Sequence, residues 1–534
     1  MTAISNKAPK MAGIAMVFIC LGFAAYTRHA WEDYLITFRA SLNLATGHGL
    51  VYQPGERVHS FTSPLGTLLP ALFALGGGSS VEIRALWCFR VASALALGAA
   101  LWLTTREFLR NNLATWSSAT ACALWAFDPK IVDFSINGME SAFLIVFVVL
   151  TWRALLHGAN LWPTALGFAG LQWTRPDGFV FSGALVAAWL FWAKPTGSAP
   201  SNRPLPTVAR AVALSLALYL PWVLLSWWYY GSPIPHTIVA KQFHHPLAET
   251  TTNLALYPLR LIGGHVALHD IFMPAYFYFG GWPRPLAWFA RLLGTGAALA
   301  WLCPGMKAPG QIASSALFIG GYYLEYIPGS PWYFPAWQIL ACIAWAYLLD
   351  AGVNLVAQTG EWRKIVRSLF HVTALSLIAV QLLLLGSVAW QMRNQQIFIE
   401  DNHRHEIGVW LHNHAAPNDR VYLEPLGYIG YYSGLKMLDN PGLSSPEVVA
   451  VRHAGLTTHS QIIQTLKPEW LVLRPDQVQM VNELSPRLLQ QDYRLARIFD
   501  TRQEIDRIRF LPGRGYLNFD ARFLVYNRRS EKTP

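Results

Sequence analysis

Charged residues are scarce in this chain of 534 residues, where Asp, Glu, Lys and Arg together make up only 13%. A soluble domain usually carries about 25% charged residues. Here 53% of the residues are hydrophobic and 23 are Trp, a composition typical of an integral membrane protein. The net charge of +11 does not indicate nucleic-acid binding, because the basic residues are spread among loops between apolar runs and form no continuous stripe.

Cysteine is also rare, and the sequence lacks several motifs that would define other classes of protein. The five cysteines lie far apart in apolar runs, with no CxxC or zinc spacing, so we expect buried free thiols: Cys20, Cys88, Cys122, Cys303 and Cys342. The polar C-terminal part contains no Walker loop, no GxGxxG and no GxSxG. No internal repeat or inverted half is visible, which counts against a secondary transporter.

About eleven apolar segments are long enough, or nearly so, to cross a bilayer. They are 11–28, 82–104, 113–128, 139–157, 161–174, 178–194, 207–230, 285–303, 311–326, 333–351 and 368–390. The first segment is similar to a signal-peptide core, but no small-residue cleavage site follows it, so we expect an uncleaved span.

The distribution of Lys and Arg predicts the orientation of these spans. With the N-terminus in the cytoplasm, the following cations all fall inside: Lys7, Lys10, Arg106, Arg110, Arg153, Lys194, Arg203, Arg210, Lys307, Arg363, Lys364 and Arg367. Residues 29–81 and everything after 390 then lie on the opposite side of the membrane.

The chain therefore divides into a transmembrane domain, 1–390, with its first outer loop at 29–81, and a soluble periplasmic α/β domain, 391–534. In the second domain the charge rises and the apolar runs shorten. Its patterns predict strands at 420–424, 469–474, 492–499 and 522–527, and helices at 397–414, 457–466 and 476–490. These elements are typical of a small α/β sandwich.

Two adjacent acids, Glu32 and Asp33, follow the first span directly. A carboxylate is costly in the bilayer, so this pair indicates a wet, polar site at the membrane face. The residues behind the pair alternate at helical spacing and predict a short amphipathic helix along the interface, with a second one at 63–76. Adjacent acids suit a general base, because adjacency raises one of the two pKa values. Capping of the helix is the alternative.

Several cations and aromatic residues are predicted on the same outer face. Arg175, in TRPDG, needs an anion, which is either a phosphate group of a lipid-linked substrate or an ion-pair partner such as Asp177. Lys241 follows GSPIPHTIVA and is either functional or simply solvated. Trp332 and Tyr333, in IPGSPWYFPAW, form an interfacial belt or stack on a sugar ring.

Two groups of residues were considered as metal sites. The HxH pairs His403, His405, His412 and His414 lie in a predicted helix, where residues two apart point to different faces, so no metal is expected there. Acids could hold a divalent cation at Asp128, Asp133 and Glu140, although capping at Asn137 is favoured.

Seven stretches together resemble one family, the GT-C superfamily of membrane glycosyltransferases that use polyprenyl-phosphate-linked sugars, and its arabinofuranosyltransferase-like branch. They are EDYLITFRASLNLATGHGLVYQPGE (32–56), SFTSPLG (60–66), INGMES (136–141), TRPDG (174–178), GSPIPHTIVAK (231–241), WYFPAW (332–337) and GYIGYYSG (427–434).

The resemblance implies an inverting transferase on the fold of that superfamily, with Asp33 as the general base and Glu32 as its partner, although these roles are open to exchange. By analogy the donor phosphate is held by Arg175 and Lys241, with His236 and Arg39 nearby, and the substrate pocket includes His59, Trp332 and Tyr333. Many relatives carry an acid where this chain has His59, which leaves a second carboxylate role open.

The expected donor is a polyprenyl-phosphate sugar, with arabinofuranose as the first choice, and the acceptor is an extracytoplasmic glycan or protein. The expected location is the bacterial inner membrane, with the active site and the C-terminal domain in the periplasm. A divalent cation, Mg²⁺ or Mn²⁺, is left open as a cofactor. A polytopic transporter or flippase for a lipid-linked or glycan substrate is the alternative function.

Overall fold

A helix forms at each of the eleven predicted apolar segments. The computed structural model describes residues 7–78, 80–192, 205–241, 247–327, 329–356 and 363–529, so Lys194 and Arg203 fall outside the described residues. The eleven helices are Lys7–Thr27, Val81–Arg110, Thr115–Ala126, Ser141–Leu156, Leu161–Thr174, Gly178–Trp192, Leu205–Tyr230, Pro285–Leu299, Ala308–Tyr326, Pro335–Val356 and Arg363–Gln395.

Five stretches of the described chain are long and apolar enough, each as one helix, to cross a membrane. They are Lys7–Thr27, Val81–Arg110, Leu205–Tyr230, Pro335–Leu355 and Ser368–His414. Pro129–Ile136 and Ser141–Leu156 are bent by 115° at a short break and would form a sixth, broken span. The chain is thus a multi-pass membrane protein, and its total of eleven spans stays a prediction.

Shorter helices connect the bundle. The α-helical connections are Glu32–Ala45, Pro64–Ala74, Pro129–Ile136, His236–Lys241 and Leu247–Gly263, and the 3-10 turns are Ala267–Phe272, Phe277–Phe279, Ala300–Leu302 and Pro331–Tyr333. Both helices expected in the first outer loop are present. Pro64 begins the second of them after the Ser63 hydroxyl, which accepts from the amide of Gly66. The first is more enclosed than its alternating pattern indicates, because Tyr34, Ile36 and Phe38 are all buried.

Several of the predicted cytoplasmic cations meet at one end of the bundle. Glu107 is within 3.7 Å of the side chains of Arg110, Arg153 and His157. Nearby, Lys307 Nζ donates to the carbonyl of Asn111 at 2.8 Å and lies 2.9 Å from Asp350. These ion pairs link four helices where the sequence predicts the cytoplasmic side.

A five-stranded mixed sheet forms the centre of the C-terminal part. Its strands are β1 (Arg420–Leu423), β2 (Lys436–Asp439), β3 (Trp470–Leu473), β4 (Tyr493–Asp500) and β5 (Arg522–Arg528), in the order β2-β1-β3-β5-β4. β1 is parallel to β2 and β3, whereas β5 is antiparallel to β3 and β4. Four of these strands were predicted, and β2 was missed.

Helices cover both faces of this sheet. After a π-helical stretch at Gln396–His405, the helices are Glu406–His414, Gly427–Ser433, Pro446–His453, His459–Leu466, Pro475–Leu484, Leu488–Gln491, Arg502–Arg507 and Arg514–Phe519. Because side chains alternate along a strand, Val421 and Leu423 point to one face of β1 and Tyr422 to the other. The core on the first face also includes Ile36 and Tyr52 of the first outer loop. The C-terminal part therefore packs directly on that loop, and a boundary at 390 stays a prediction.

Candidate active site

Glu32 and Asp33 lie at the start of the helix Glu32–Ala45, at the end of the bundle that carries the C-terminal part. The backbone amide of Trp31 donates to the carbonyl of Asn137 at 3.0 Å, which ties the start of this helix to the INGMES stretch. Gly138 has a φ of +102°, and a Cβ at this position would come within 2.6 Å of the Tyr34 side chain, so glycine allows the close contact. Two of the stretches singled out in the sequence therefore meet at the acid pair.

Glu32 is held by the C-terminal part of the chain. Its Oε1 accepts a hydrogen bond from the amide of Gly427 at 2.8 Å, and its Oε2 lies 3.6 Å from Nη1 of Arg404. A Cβ on Gly427 would come within 2.2 Å of the Glu32 carbonyl oxygen, so only glycine allows this approach. Burial raises the pKa of Glu32 to about 7, and the Arg404 guanidinium opposes that rise. Glu32 is thus anchored at both oxygens.

Asp33 differs from Glu32, because its carboxylate accepts no hydrogen bond from the described residues. Burial raises the pKa of Asp33, and the charges of Lys241 and Arg404 oppose the rise. A carboxylate with a raised pKa and free oxygens can accept a proton from an incoming hydroxyl. The geometry therefore suits Asp33 as the base and Glu32 as its anchored neighbour.

Aromatic rings stand beside the acid pair. Trp31 stacks on Phe134 with 4.7 Å between ring centroids, and Tyr276 stacks on Tyr516 at 3.9 Å. The backbone of Tyr276 is left-handed, with φ of 56°, which is uncommon for a residue that carries a side chain. Tyr516 belongs to the C-terminal part, so this wall of the site also comes from two regions of the chain.

Lys241 is brought towards the acid pair by the short helix His236–Lys241. Its side chain is exposed, and its Nζ lies 5.7 Å from the centroid of the Trp332 ring. Lys241 makes no hydrogen bond or ion pair with the described residues, so its charge is available to an anion. Trp332 in turn lies 6.1 Å from Tyr333, between ring centroids. The aromatic loop and Lys241 therefore form one wall of the candidate site.

Arg175 is buried and already paired. Its Nη1 lies 3.0 Å from Glu140 and its Nε 2.9 Å from Asp177, and its guanidinium stacks 4.5 Å from the centroid of Tyr333. This includes the ion pair with Asp177 that the sequence left as the alternative. Two carboxylates surround one guanidinium, so the cluster has no surplus positive charge for a phosphate. The phosphate role of Arg175 stays a prediction.

The two candidate histidines lie next to each other. The amide of His236 donates to the carbonyl of His59 at 2.9 Å. His59 is buried, stacks on Tyr230 at 4.5 Å between centroids, and finds no partner for either ring nitrogen among the described residues. Burial lowers the pKa of His59 to about 3 and also lowers that of His236, which faces the backbone of Ser445. Both rings are therefore neutral around pH 7.

Arg39 is not brought to the site as a free cation. Its guanidinium donates to the carbonyls of Gly430 at 2.6 Å, Leu435 at 3.2 Å and Gly434 at 3.3 Å, and stacks on Tyr52 at 4.3 Å. It also donates to the side chain of Gln53 at 2.9 Å. Because these contacts join the first outer loop to the C-terminal part, we leave Arg39 out of the proposed phosphate site.

A buried ionic network behind Glu32 was not predicted from the sequence. Arg404 binds both oxygens of Glu400, at 2.8 and 3.0 Å, and also contacts Asp520. Asp520 is shared with Arg474, which contacts Glu424. The spacing of Glu400 and Arg404, four residues apart, was the one local signal for this network. The other partners are distant in sequence.

The residues weighed as metal ligands do not come together. Asp128 caps the start of the helix Pro129–Ile136 through the amides of Lys130 and Ile131 at 2.9 Å, and Asn137 caps its end, where its amide donates to the carbonyl of Asp133. Asp133 accepts from Asn137, and Glu140 pairs with Arg175. Within the described ranges there is no group of three or more His, Cys, Asp or Glu side chains that could hold a metal ion.

The four histidines of the C-terminal part have separate partners. His412 contacts the carbonyl of Ser433, His414 that of Trp410, His405 packs on Tyr432, and His403 lies against Phe523.

At the acid pair, two carboxylates face the cations of Arg404 and Lys241. Because Mg²⁺ is usually bound through one or two carboxylates together with substrate phosphates and waters, the divalent cation that the sequence leaves open stays a prediction.

The fold is that of a polytopic membrane protein with a small sheet domain at one end of the helical bundle, and the acid pair lies where the two meet. ArnT from Cupriavidus metallidurans has the same fold. With its apo structure the TM-score is 0.52 at 12% sequence identity, over 96% of this chain and 97% of ArnT. With its structure bound to undecaprenyl phosphate the TM-score is 0.50 at 13% identity, over 98% of both chains.

Two curated relatives confirm the resemblance to arabinofuranosyltransferases. Both are named terminal beta-(1->2)-arabinofuranosyltransferase and both are 29% identical to this chain. The Corynebacterium glutamicum protein matches over 244 residues, which are 41% of this chain and 34% of the relative. The Mycobacterium tuberculosis protein matches over 246 residues, 43% of this chain and 37% of the relative. The matched region thus spans about a third of the length of these relatives.

One family model matches the C-terminal part. It is described as a domain of unknown function, DUF8728, and covers residues 390–526. The matched stretch includes the buried ionic network from Glu400 to Asp520 and the whole helix Gly427–Ser433.

Proposed function

We propose that this protein is an inverting glycosyltransferase that moves a sugar from a polyprenyl-phosphate donor to an extracytoplasmic acceptor. The observation that carries the proposal is the contrast within the acid pair. Asp33 has free carboxylate oxygens and a raised pKa, whereas Glu32 is anchored by Gly427 and Arg404. The likeness to named glycosyltransferases favours this activity over the transporter alternative.

In the proposed reaction, Asp33 accepts the proton of an acceptor hydroxyl. The hydroxyl oxygen attacks the anomeric carbon of the donor from the face opposite the lipid phosphate. The bond between that carbon and the phosphate oxygen breaks, and the polyprenyl phosphate leaves with the electron pair, so the configuration inverts. A positioned base contributes about 10²- to 10⁴-fold in rate.

The leaving phosphate needs a cation, and Lys241 is the best candidate in the described part of the chain. Its side chain is exposed beside the Trp332 ring and is paired with no described residue, and its charge acts on Asp33. Arg175 lies behind the same aromatic loop, but Glu140 and Asp177 neutralise it. We therefore assign Lys241 to the phosphate and Trp332 and Tyr333 to the sugar or the lipid chain, with His236 and His59 as neutral neighbours.

The finer assignments are proposals as well. Arabinofuranose is the first choice of sugar, because both curated relatives are arabinofuranosyltransferases. Undecaprenyl phosphate, which is bound in one ArnT structure, supports a polyprenyl-phosphate donor. We place the protein in the bacterial inner membrane, with the acid pair and the C-terminal domain, 391–534, on the periplasmic side and the Glu107 cluster in the cytoplasm.

A transfer assay with membranes that contain the protein tests this function. Polyprenyl-phosphate arabinofuranose and other polyprenyl-phosphate sugars are supplied with an oligosaccharide acceptor, and nucleotide sugars serve as the control. We expect transfer from a lipid-linked sugar only, with inversion of the anomeric configuration in the product. Retention of configuration, or transfer from the nucleotide sugar, would contradict the proposal. Mass spectrometry of surface glycans from a deletion strain would identify the acceptor.

A further inference from the structure

The charge of Arg404 faces the proposed active site from the C-terminal part of the chain. Arg404 lies in the π-helical stretch Gln396–His405 and is 3% exposed. Its Nη1 donates to Glu400 and lies 3.6 Å from Oε2 of Glu32, and its Nη2 donates to Asp520. One buried guanidinium therefore joins an acid of the first outer loop to two acids of the C-terminal part.

The balance of charge in this cluster makes Glu32 its least satisfied member. Glu400 has two hydrogen bonds from Arg404 and one from Gln395 at 3.0 Å. Asp520 is shared between Arg404 and Arg474. Glu32 has the amide of Gly427 and the more distant contact with Arg404. Because a buried carboxylate stays ionised only beside a cation or several donors, the ionisation of Glu32 depends on Arg404.

We propose that Arg404 is a positioning residue for the transfer reaction: it holds Glu32 as an anchored carboxylate and thereby fixes the neighbouring base, Asp33, at the site. The C-terminal domain is then part of the catalytic centre rather than an accessory unit. This inference rests on the proposed function. It goes beyond that function in giving the C-terminal domain a role in the chemistry.

Several other titratable groups surround Glu32 and Arg404. Asp33, on its own helix, Tyr52, Tyr276 and Glu400 face Glu32, whereas Tyr516 and Asp520 face Arg404. The tyrosines are neutral around pH 7, because burial raises the pKa of Tyr52 to about 12 and that of Tyr276 even further. Among the charged groups that face Glu32 itself, Arg404 is thus the cation that decides its charge.

The experiment combines two readouts in purified full-length protein. The first is the protonation of Glu32, followed against pH by the infrared carboxyl band that disappears in Glu32→Gln. The second is kcat and KM for a polyprenyl-phosphate sugar. In Arg404→Gln we expect the titration midpoint of Glu32 to rise by about one unit or more, and kcat to fall on the order of tenfold with little change in KM. Arg404→Lys, which keeps the charge, should restore most of both.

Matched controls separate positioning from a loss of structure. Glu424→Gln changes the far end of the same network, where Arg474 and Gln477 bind Glu424, and should leave both readouts unchanged. In the Glu32→Gln background, Arg404→Gln should lower kcat much less than in the wild type. If Arg404→Gln does not fold, the double variant Glu400→Gln/Arg404→Gln removes a buried acid together with its cation and serves instead.

An unchanged Glu32 titration in a folded Arg404 variant would overturn the inference, and so would an equal loss of kcat with and without Glu32. The infrared readout does not depend on turnover. If the wild type transfers no sugar while Arg404 still controls the Glu32 titration, the proposed function fails and the charge coupling stands. If the titration is unaffected while transfer occurs, the coupling fails and the proposed function stands.

Discussion

Gly427→Ala tests whether the C-terminal domain docks on the acid pair as described. The added Cβ would lie 2.2 Å from the carbonyl oxygen of Glu32 and 2.6 Å from its Cγ, whereas ordinary contact begins at 3.4 Å. One of the two backbones must therefore move by about 1 Å, because a carbonyl oxygen in a helix cannot turn away as a flexible side chain does. Overpacking of this kind costs about 1–3 kcal/mol of stability.

The same displacement should lower the transfer rate. A misplacement of about 1 Å at a reacting group costs on the order of 10²-fold in rate, and the shift also strains the hydrogen bond from Gly427 to Glu32. We expect kcat for transfer from a lipid-linked sugar to fall by about 10²-fold, with a modest fall in Tm. Gly386→Ala is the matched control, since a Cβ there meets nothing within 4 Å. Wild-type kcat and Tm in Gly427→Ala would refute the docking.

Three further variants test single contacts. Lys241→Ala should raise KM for the donor about 10- to 100-fold, because a hydrogen bond to a charged group contributes about 1.5–3 kcal/mol. Lys241→Arg should recover part of the lost donor affinity. An unchanged KM in Lys241→Ala would contradict the assignment of Lys241 to the phosphate site. Arg39→Met should lower the free energy of unfolding by about a few kcal/mol, since buried carbonyls of the C-terminal part lose their donor. A Tm equal to that of the wild type would contradict this stabilising role of Arg39. The pKa of His59 is lowered from its ordinary value of 6.5 to about 3 in the folded protein. Between these two pH values the unfolded chain binds a proton at His59 that the folded protein does not bind. The free energy of unfolding should therefore fall as the pH drops from about 6.5 towards 3. His59→Phe should flatten this pH dependence in thermal unfolding scans, and an unaltered pH dependence would show that His59 is not the group responsible.

Local patterns predicted the elements of this fold well, because burial in lipid or in a sheet leaves a direct mark on the sequence. A helix forms at each apolar segment, and the short apolar runs around Tyr422 and Leu471 predicted two strands correctly. β2 was missed, since its four residues contain only two apolar ones, Met437 and Leu438, between the charged Lys436 and Asp439. Two apolar residues between charges give no strand pattern.

The site was predicted in part, and the division follows sequence distance. Asp177, two residues from Arg175, could be proposed as its partner, whereas Glu140, 35 residues away, could not. Gly427 meets Glu32 across 395 residues, and Asp520 meets Arg404 across 116. Such contacts depend on how the C-terminal part packs on the first outer loop. This packing cannot be predicted from the periodicity of apolar residues. For the same reason Arg404 was not predicted as a site residue, although the neighbouring histidines were considered as metal ligands.

The most direct test of the central proposal is the rate of sugar transfer by Asp33→Asn, compared with Glu32→Gln, at equal amounts of folded protein in membranes supplied with a polyprenyl-phosphate sugar. If the free carboxylate of Asp33 takes the acceptor proton, Asp33→Asn should lose about 10²- to 10⁴-fold in kcat, while Glu32→Gln loses less. Transfer by Asp33→Asn at the wild-type rate would contradict the assignment of the base.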